Sequence, residues 1–259
     1  MSEGARRVLL ALALAVLAVA AWRVAGALPM FGSATPYGQA VNALIPDARG
    51  VSNMVAAVNF DVRGIDTVGE EAMLVAAIVG AVVLLRGSRG EGTTDRAVRV
   101  PGRALEPRAD ATALVCRIGA VVTLVFGLYM ALHGTVTPGG GFQGGAVVAS
   151  GLLLVYLGDG YPPWRRLVPG PLFGVVEAGG ALAFVAAALW PLAHGDAALA
   201  NRLRPGEWKD LYSGGLMVVS NLAVAAAVAG SFALLLLEVM EETREVQSGE
   251  DDAAEEPPQ

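Results

Sequence analysis

The sequence is short of charge and of most of the side chains that soluble enzymes work with. One cysteine, Cys116, stands among 259 residues. No internal disulfide can form, and no cysteine-based metal site is available. A small buried hydrophobe is the plain reading of that residue. The two histidines, His133 and His194, have no carboxylate at metal-ligand spacing, so the pattern offers no metal site. No glycine-rich turn ends in Lys-Ser or Lys-Thr as a phosphate loop does. No nucleophile–base pair or cofactor loop is visible either, so the chain reads as neither an independent enzyme nor a cofactor carrier. Charged residues make up 16% of the chain, against about a quarter in an ordinary soluble domain.

What fills the space is apolar. Hydrophobic residues reach 54%, and the mean hydropathy is +0.55. They gather in blocks near Val8–Ala27, Glu70–Leu85, Ala111–His133, Gly141–Leu157, Val168–Leu192 and Leu211–Leu237. About 20 residues suffice to cross a bilayer as a helix. The second and fourth blocks are short, and their polar flanks complete the span. The expectation is an all-α polytopic membrane protein of about six transmembrane helices, with the lipid bilayer as its solvent. The first block has a competitor. Arg6-Arg7, the run from Val8 to Trp22 and the small residues that follow also describe a secretory signal peptide, and composition leaves both readings open.

The formal net charge of −6 conceals an uneven distribution. Nine of the 24 acids fall between Glu238 and Glu256, beside the single base Arg244, and the rest of the chain is slightly basic. Residues 239–259 therefore read as a solvated, disordered acidic tail. No nucleic-acid face is present. With the amino terminus inside, the inner loops carry twice the Lys and Arg of the outer ones, which places both termini in the cytoplasm. A Gly- and Arg-rich linker, 87–110, separates a two-helix part (1–86) from a four-helix part (111–238). The long outer loop, 28–69, is expected to be irregular or re-entrant.

The most specific motif runs His133-Gly134-Thr135-Val136-Thr137-Pro138-Gly139-Gly140-Gly141-Phe142-Gln143-Gly144-Gly145. One helix ends near His133, Pro138 and the glycines turn the chain, and another apolar helix begins at once. Glycines 140 and 144, and 141 and 145, repeat at four-residue spacing and leave a smooth face for a neighbouring backbone.

This segment resembles the His-x-x-x-Pro-Gly-Gly-Gly-Phe-x-Gly-Gly signature of the MnhB/MrpB subunit family of multicomponent sodium/proton antiporters, whose relatives occur in membrane-bound hydrogenases. Val176-Glu177-Ala178-Gly179-Gly180-Ala181 and Asp210-Leu211-Tyr212-Ser213-Gly214-Gly215 support the likeness. Upstream, Asn59-Phe60-Asp61-Val62-Arg63-Gly64-Ile65-Asp66-Thr67-Val68-Gly69-Glu70 resembles a segment near the carboxy terminus of the large antiporter subunit and the small equivalent subunit of the hydrogenases. The chain thus looks like two adjacent complex subunits fused, which favours a retained first helix. The resemblance implies a plasma-membrane antiporter subunit, partnered by other membrane subunits and by monovalent cations and protons. The alternative it implies is the equivalent subunit of a hydrogenase or respiratory complex.

Glu177 falls near the middle of the fifth block, where a charged carboxylate facing lipid costs roughly 2.5–3.5 kcal/mol. It is expected either to handle protons or ions or to join neighbouring helices by a hydrogen bond. His133 is the histidine beside this turn, a residue type suited to carrying protons, and otherwise serves as a helix-end residue. Thr67 with Glu70 fits a capping box at a helix start. That leaves Asp61, Arg63 and Asp66 for charge pairing at a subunit surface or the mouth of an ion path. Ser220 and Asn221, inside the charge-free sixth block, are expected to make interhelical hydrogen bonds.

Overall fold

A computed structural model describes residues 3–28, 30, 32–33, 35–88, 109–204 and 206–254. The expected linker lies outside the described residues over 89–108, as does the end of the expected tail, 255–259. No strand occurs among the described residues. The helices, in order, are α1 (Glu3–Ala27), α2 (Pro36–Arg49), α3 (Met54–Ala57), α4 (Gly64–Ser88), α5 (Asp110–Leu132), α6 (Gly141–Asp159), α7 (Tyr161–Leu167), α8 (Gly170–Leu189) and α9 (Leu216–Ala254). A π-helical turn, Val58–Val62, follows α3, and a 3-10 turn, Trp190–His194, follows α8. Six of the helices are long and apolar enough to cross a membrane: α1, α4, α5, α6, α8 with its 3-10 turn, and α9 up to Glu241.

The chain forms two units, Met1–Ala43 and Leu44–Gln259. In the first, α1 is apolar on all sides and exposes nearly every side chain. In the second, α9 is the central helix, with α4, α6 and α8 packed against it and α5 against α6. Ala223, Ala227 and Ala233 are buried along α9, and such small side chains let helix backbones approach closely. The unit is inverted relative to a soluble protein. Ile118, Val122 and Val125 of α5 and Leu172, Val175 and Leu182 of α8 face outward, while Glu71, Glu177, Asn221, Ser231 and Glu238 are buried. Apolar side chains out and polar side chains in is the arrangement that a bilayer favours.

Four boundaries differ from the sequence expectation, each for a local reason. Helix α4 begins at Gly64, so Thr67 and Glu70 lie within it and form no capping box. The Thr67 hydroxyl instead donates to the Asn59 carbonyl at 2.7 Å. The sixth block starts as a helix only at Leu216, because Gly214 and Gly215 have φ of +106° and +58°, a region that breaks a helix and suits glycine. Asn201 then caps α9, accepting from the Leu216 N–H at 2.9 Å and donating to the Gly214 carbonyl at 2.8 Å. The outer loop is largely helical, as α2, α3 and the π turn. Finally, α9 continues to Ala254, through residues expected to be unstructured; the Glu-, Met- and Arg-containing run is a good helix former.

Candidate functional site

The glycine-rich turn between α5 and α6 is held by two buried asparagines. Asn221, 2% exposed, projects from α9 into the gap between the helix ends. Its Oδ1 accepts from the Gly141 N–H at 2.6 Å, and its Nδ2 donates to the Ala131 carbonyl at 2.5 Å. One side chain thus satisfies an orphan donor at the start of α6 and an acceptor in the last turn of α5, groups that a helix cannot pair internally. From the other side, Asn53 Nδ2 donates to the carbonyls of Gly134, Thr137 and Gly139 at 2.7, 3.0 and 3.0 Å. Its own Oδ1 caps α3 by accepting from the Val55 N–H. The backbone N–H groups of Ser52 and Asn53 donate to the Thr135 carbonyl, and the Ser52 hydroxyl donates to that of Val136.

The glycines then serve different neighbours. A Cβ on Gly144 would lie 2.8 Å from Ala131 N and Gly127 O of α5. A Cβ on Gly145 would lie 2.7 Å from Ala225 O of α9. The backbone of Gly141 faces Asn221 and Ala225 of α9 as well. Gly139 has φ +123°, where a side chain is strained. Pro138, Gly140 and Phe142 complete the turn, with Gly140 buried and Phe142 partly exposed.

Beside this turn lies a cavity of about 390 Å3, walled by Gly139, Gly140, Gly141 and Phe142 on one side and by α3, the π turn and α4 on the other, with Asn221 and Val224 of α9. Glu71 of α4 is on its wall and only 4% exposed. Both of its carboxylate oxygens are buried and receive no hydrogen bond. Thr67, Asn59 and Gln143 share the wall, and Glu70 is the other ionisable residue there.

The residues expected to form a site are placed apart, each with a local partner. Glu177 of α8, 8% exposed, accepts a hydrogen bond from the Ser231 hydroxyl of α9 at 2.7 Å. There Gly230 passes so close that a Cβ would lie 2.6 Å from Glu177 N. His133 caps α5; its Nδ1 is 3.0 Å from the Tyr129 carbonyl, and its ring stacks on that of Tyr129 at 4.1 Å. Asp61 pairs with Arg49. Arg63 pairs with Asp66 at 2.5 Å, and both are well exposed. None of these five lines the cavity. Asn221 makes the interhelical bonds expected of it, whereas the buried Ser220 hydroxyl has no partner. Among the described residues no three His, Cys, Asp or Glu side chains are grouped to hold a metal ion.

Comparison with known proteins bears on the same region. Residues 111–234 match the family described as "Domain related to MnhB subunit of Na+/H+ antiporter", a stretch that runs from α5 into α9. An uncharacterised protein of Methanocaldococcus jannaschii is 31% identical over 124 residues, 44% of this chain and 47% of that protein. The B-type subunit of the Na(+)/H(+) antiporter of Alkalihalophilus pseudofirmus is 40% identical over 53 residues, 20% of this chain and 37% of that protein. The chain thus spans about half or less of these relatives' lengths. Among solved structures, a chain of the membrane-bound sulfane sulfur reductase, an archaeal respiratory membrane complex, is similar with a TM-score of 0.71 and 24% identity. That match covers 91% of this chain and 98% of that one. A chain of the Mrp complex from a Dietzia species gives a TM-score of 0.68 at 21% identity, over 99% of this chain and 27% of that one. At these identities the structures establish the fold. The MnhB-related match thus falls on the carboxy-terminal four of the six described helices that are long and apolar enough to cross a membrane.

Proposed function

We propose that this chain is a membrane subunit of a multisubunit complex exchanging a monovalent cation, sodium in the first instance, for protons across the cell membrane. The observation that carries the reading is the MnhB-related domain at 111–234. The helical fold shared along nearly the whole chain with an Mrp complex supports it. The chain supplies no catalytic group of its own, and its other partners are the neighbouring membrane subunits. Both termini face the cytoplasm in this reading, in keeping with the distribution of Lys and Arg.

Within the subunit, Glu177 joins α8 to α9 through Ser231, and His133 shapes the end of α5. Asp61, Arg63 and Asp66 are proposed to lie where a neighbouring subunit docks, because their pairs sit at or near the surface. Affinity purification of the tagged chain from native membranes tests the assignment. Recovery of large antiporter subunits supports it, and recovery of the chain alone refutes it.

A second reading has its own observation. The sulfane sulfur reductase chain matches end to end, whereas the Mrp match covers 27% of a much longer chain. In that reading the same module serves a respiratory complex, and redox subunits would copurify in place of an antiporter-only set.

A further inference from the structure

We propose that the cavity beside the glycine-rich turn is a binding site for one monovalent cation, with Glu71 as its charged ligand and a proton as the competing occupant. The inference rests on the chain spanning a membrane within an ion-moving complex, and adds to that reading a specific site.

Glu71 lies on α4 one turn beyond Thr67 and is 4% exposed, and neither carboxylate oxygen receives a hydrogen bond from the protein. A buried carboxylate without a partner is costly. In a membrane segment such a group pairs or faces a water-filled space. Here the space exists: about 390 Å3, enough for an ion with several waters. Among the described residues the wall carries no Lys or Arg to compete for the carboxylate. Glu70 is the other titratable group on the wall, and it is exposed. The π turn, the glycine-rich turn and α9 contribute none.

The charge balance selects the occupant. One buried carboxylate is neutralised by one positive charge, either a proton or a monovalent cation. A divalent ion would leave a net charge in a low-dielectric site with no second buried acid. Asn59, Thr67 and Gln143 line the same wall, and their side chains carry neutral oxygens, the ligand type that hard cations take. Alternative occupancy by a proton or a cation at one carboxylate is the chemistry that an exchanger requires.

The test reads Glu71 directly. Membranes carrying the native complex are treated with dicyclohexylcarbodiimide, which attacks protonated carboxyls in apolar surroundings, and modification is followed by peptide mass spectrometry. Equal concentrations of sodium, potassium, lithium or choline chloride are compared from acid to alkaline pH. The expected result is labelling of Glu71 slowed at least ten-fold by one of the three metal cations relative to choline, with Glu177 showing no such protection. Labelling at the same rate in all four salts, or no labelling of Glu71 in an assembled complex, overturns the site. Protection is measured on the residue whether or not the membranes exchange ions. Protected Glu71 in membranes without exchange would count against the proposed function and not against the site.

Discussion

Arg86 and Glu238, at the far end of α4 and within α9, form an ion pair in which Arg86 Nη2 and Nε lie 2.6 and 2.9 Å from the same carboxylate oxygen. Glu238 is 1% exposed, and the Arg86 side chain is 52% exposed. The acid belongs by sequence to the start of the acidic stretch and by structure to the core. The pair fastens α4 to α9 at one end, as Asn53 fastens its neighbourhood to the glycine-rich turn at the other.

Replacing Arg86 with Ala should therefore destabilise the protein by about 1.5–3 kcal/mol, the range for hydrogen bonds to charged groups. Thermal unfolding of the purified complex in detergent measures this. Arg63→Ala breaks an exposed pair and should change stability by no more than about 1 kcal/mol.

Asn221→Ala removes one donor and one acceptor from buried backbone groups at the Ala131 and Gly141 ends of the turn. Two such losses cost on the order of 2–4 kcal/mol. The expected outcome is reduced assembly on native gels, with Asn221→Asp intermediate because the acceptor survives.

Gly145→Val places side-chain atoms where α6 meets Ala225 of α9, and should cost about 1–3 kcal/mol or abolish assembly. Gly174 and Gly179 have open space at the Cβ position. Alanine at either should leave the isolated subunit's melting temperature unchanged or slightly raised, since Gly is a poor helix former.

Glu177 and Ser231 should show coupling of roughly 1 kcal/mol in a double-mutant cycle built from Glu177→Gln and Ser231→Ala, as residues sharing a hydrogen bond do. If Glu177 works only by joining helices, Glu177→Gln leaves the pH profile of exchange in place. A displaced profile in an assembled complex would restore it to the ion path.

The six spans were legible because the lengths of the apolar blocks match the bilayer, and the glycines at four-residue spacing announced close helix packing. Asn221 stood out as a polar residue in a charge-free helix. Glu71 did not. Glu70 beside it had a sufficient local explanation in a capping box, and helix phase, set by where α4 meets α9 and a turn distant in sequence, decides which of two adjacent acids points inward. Asn53 carried no signal for the same reason: it lies in a short polar stretch, and its three acceptors belong to a turn more than 80 residues away. The start of α9 was misplaced because apolar Leu211 and Tyr212 extend the hydrophobic block, while the backbone of Gly214 and Gly215 ends it.

The most direct test of the account is cation-dependent proton exchange in everted vesicles from a strain lacking its own antiporters, carrying the complete gene cluster with or without this chain. Exchange that requires the chain, and returns when the chain is supplied separately, is the predicted result. Undiminished exchange in its absence would contradict its place as a subunit of the exchanging complex.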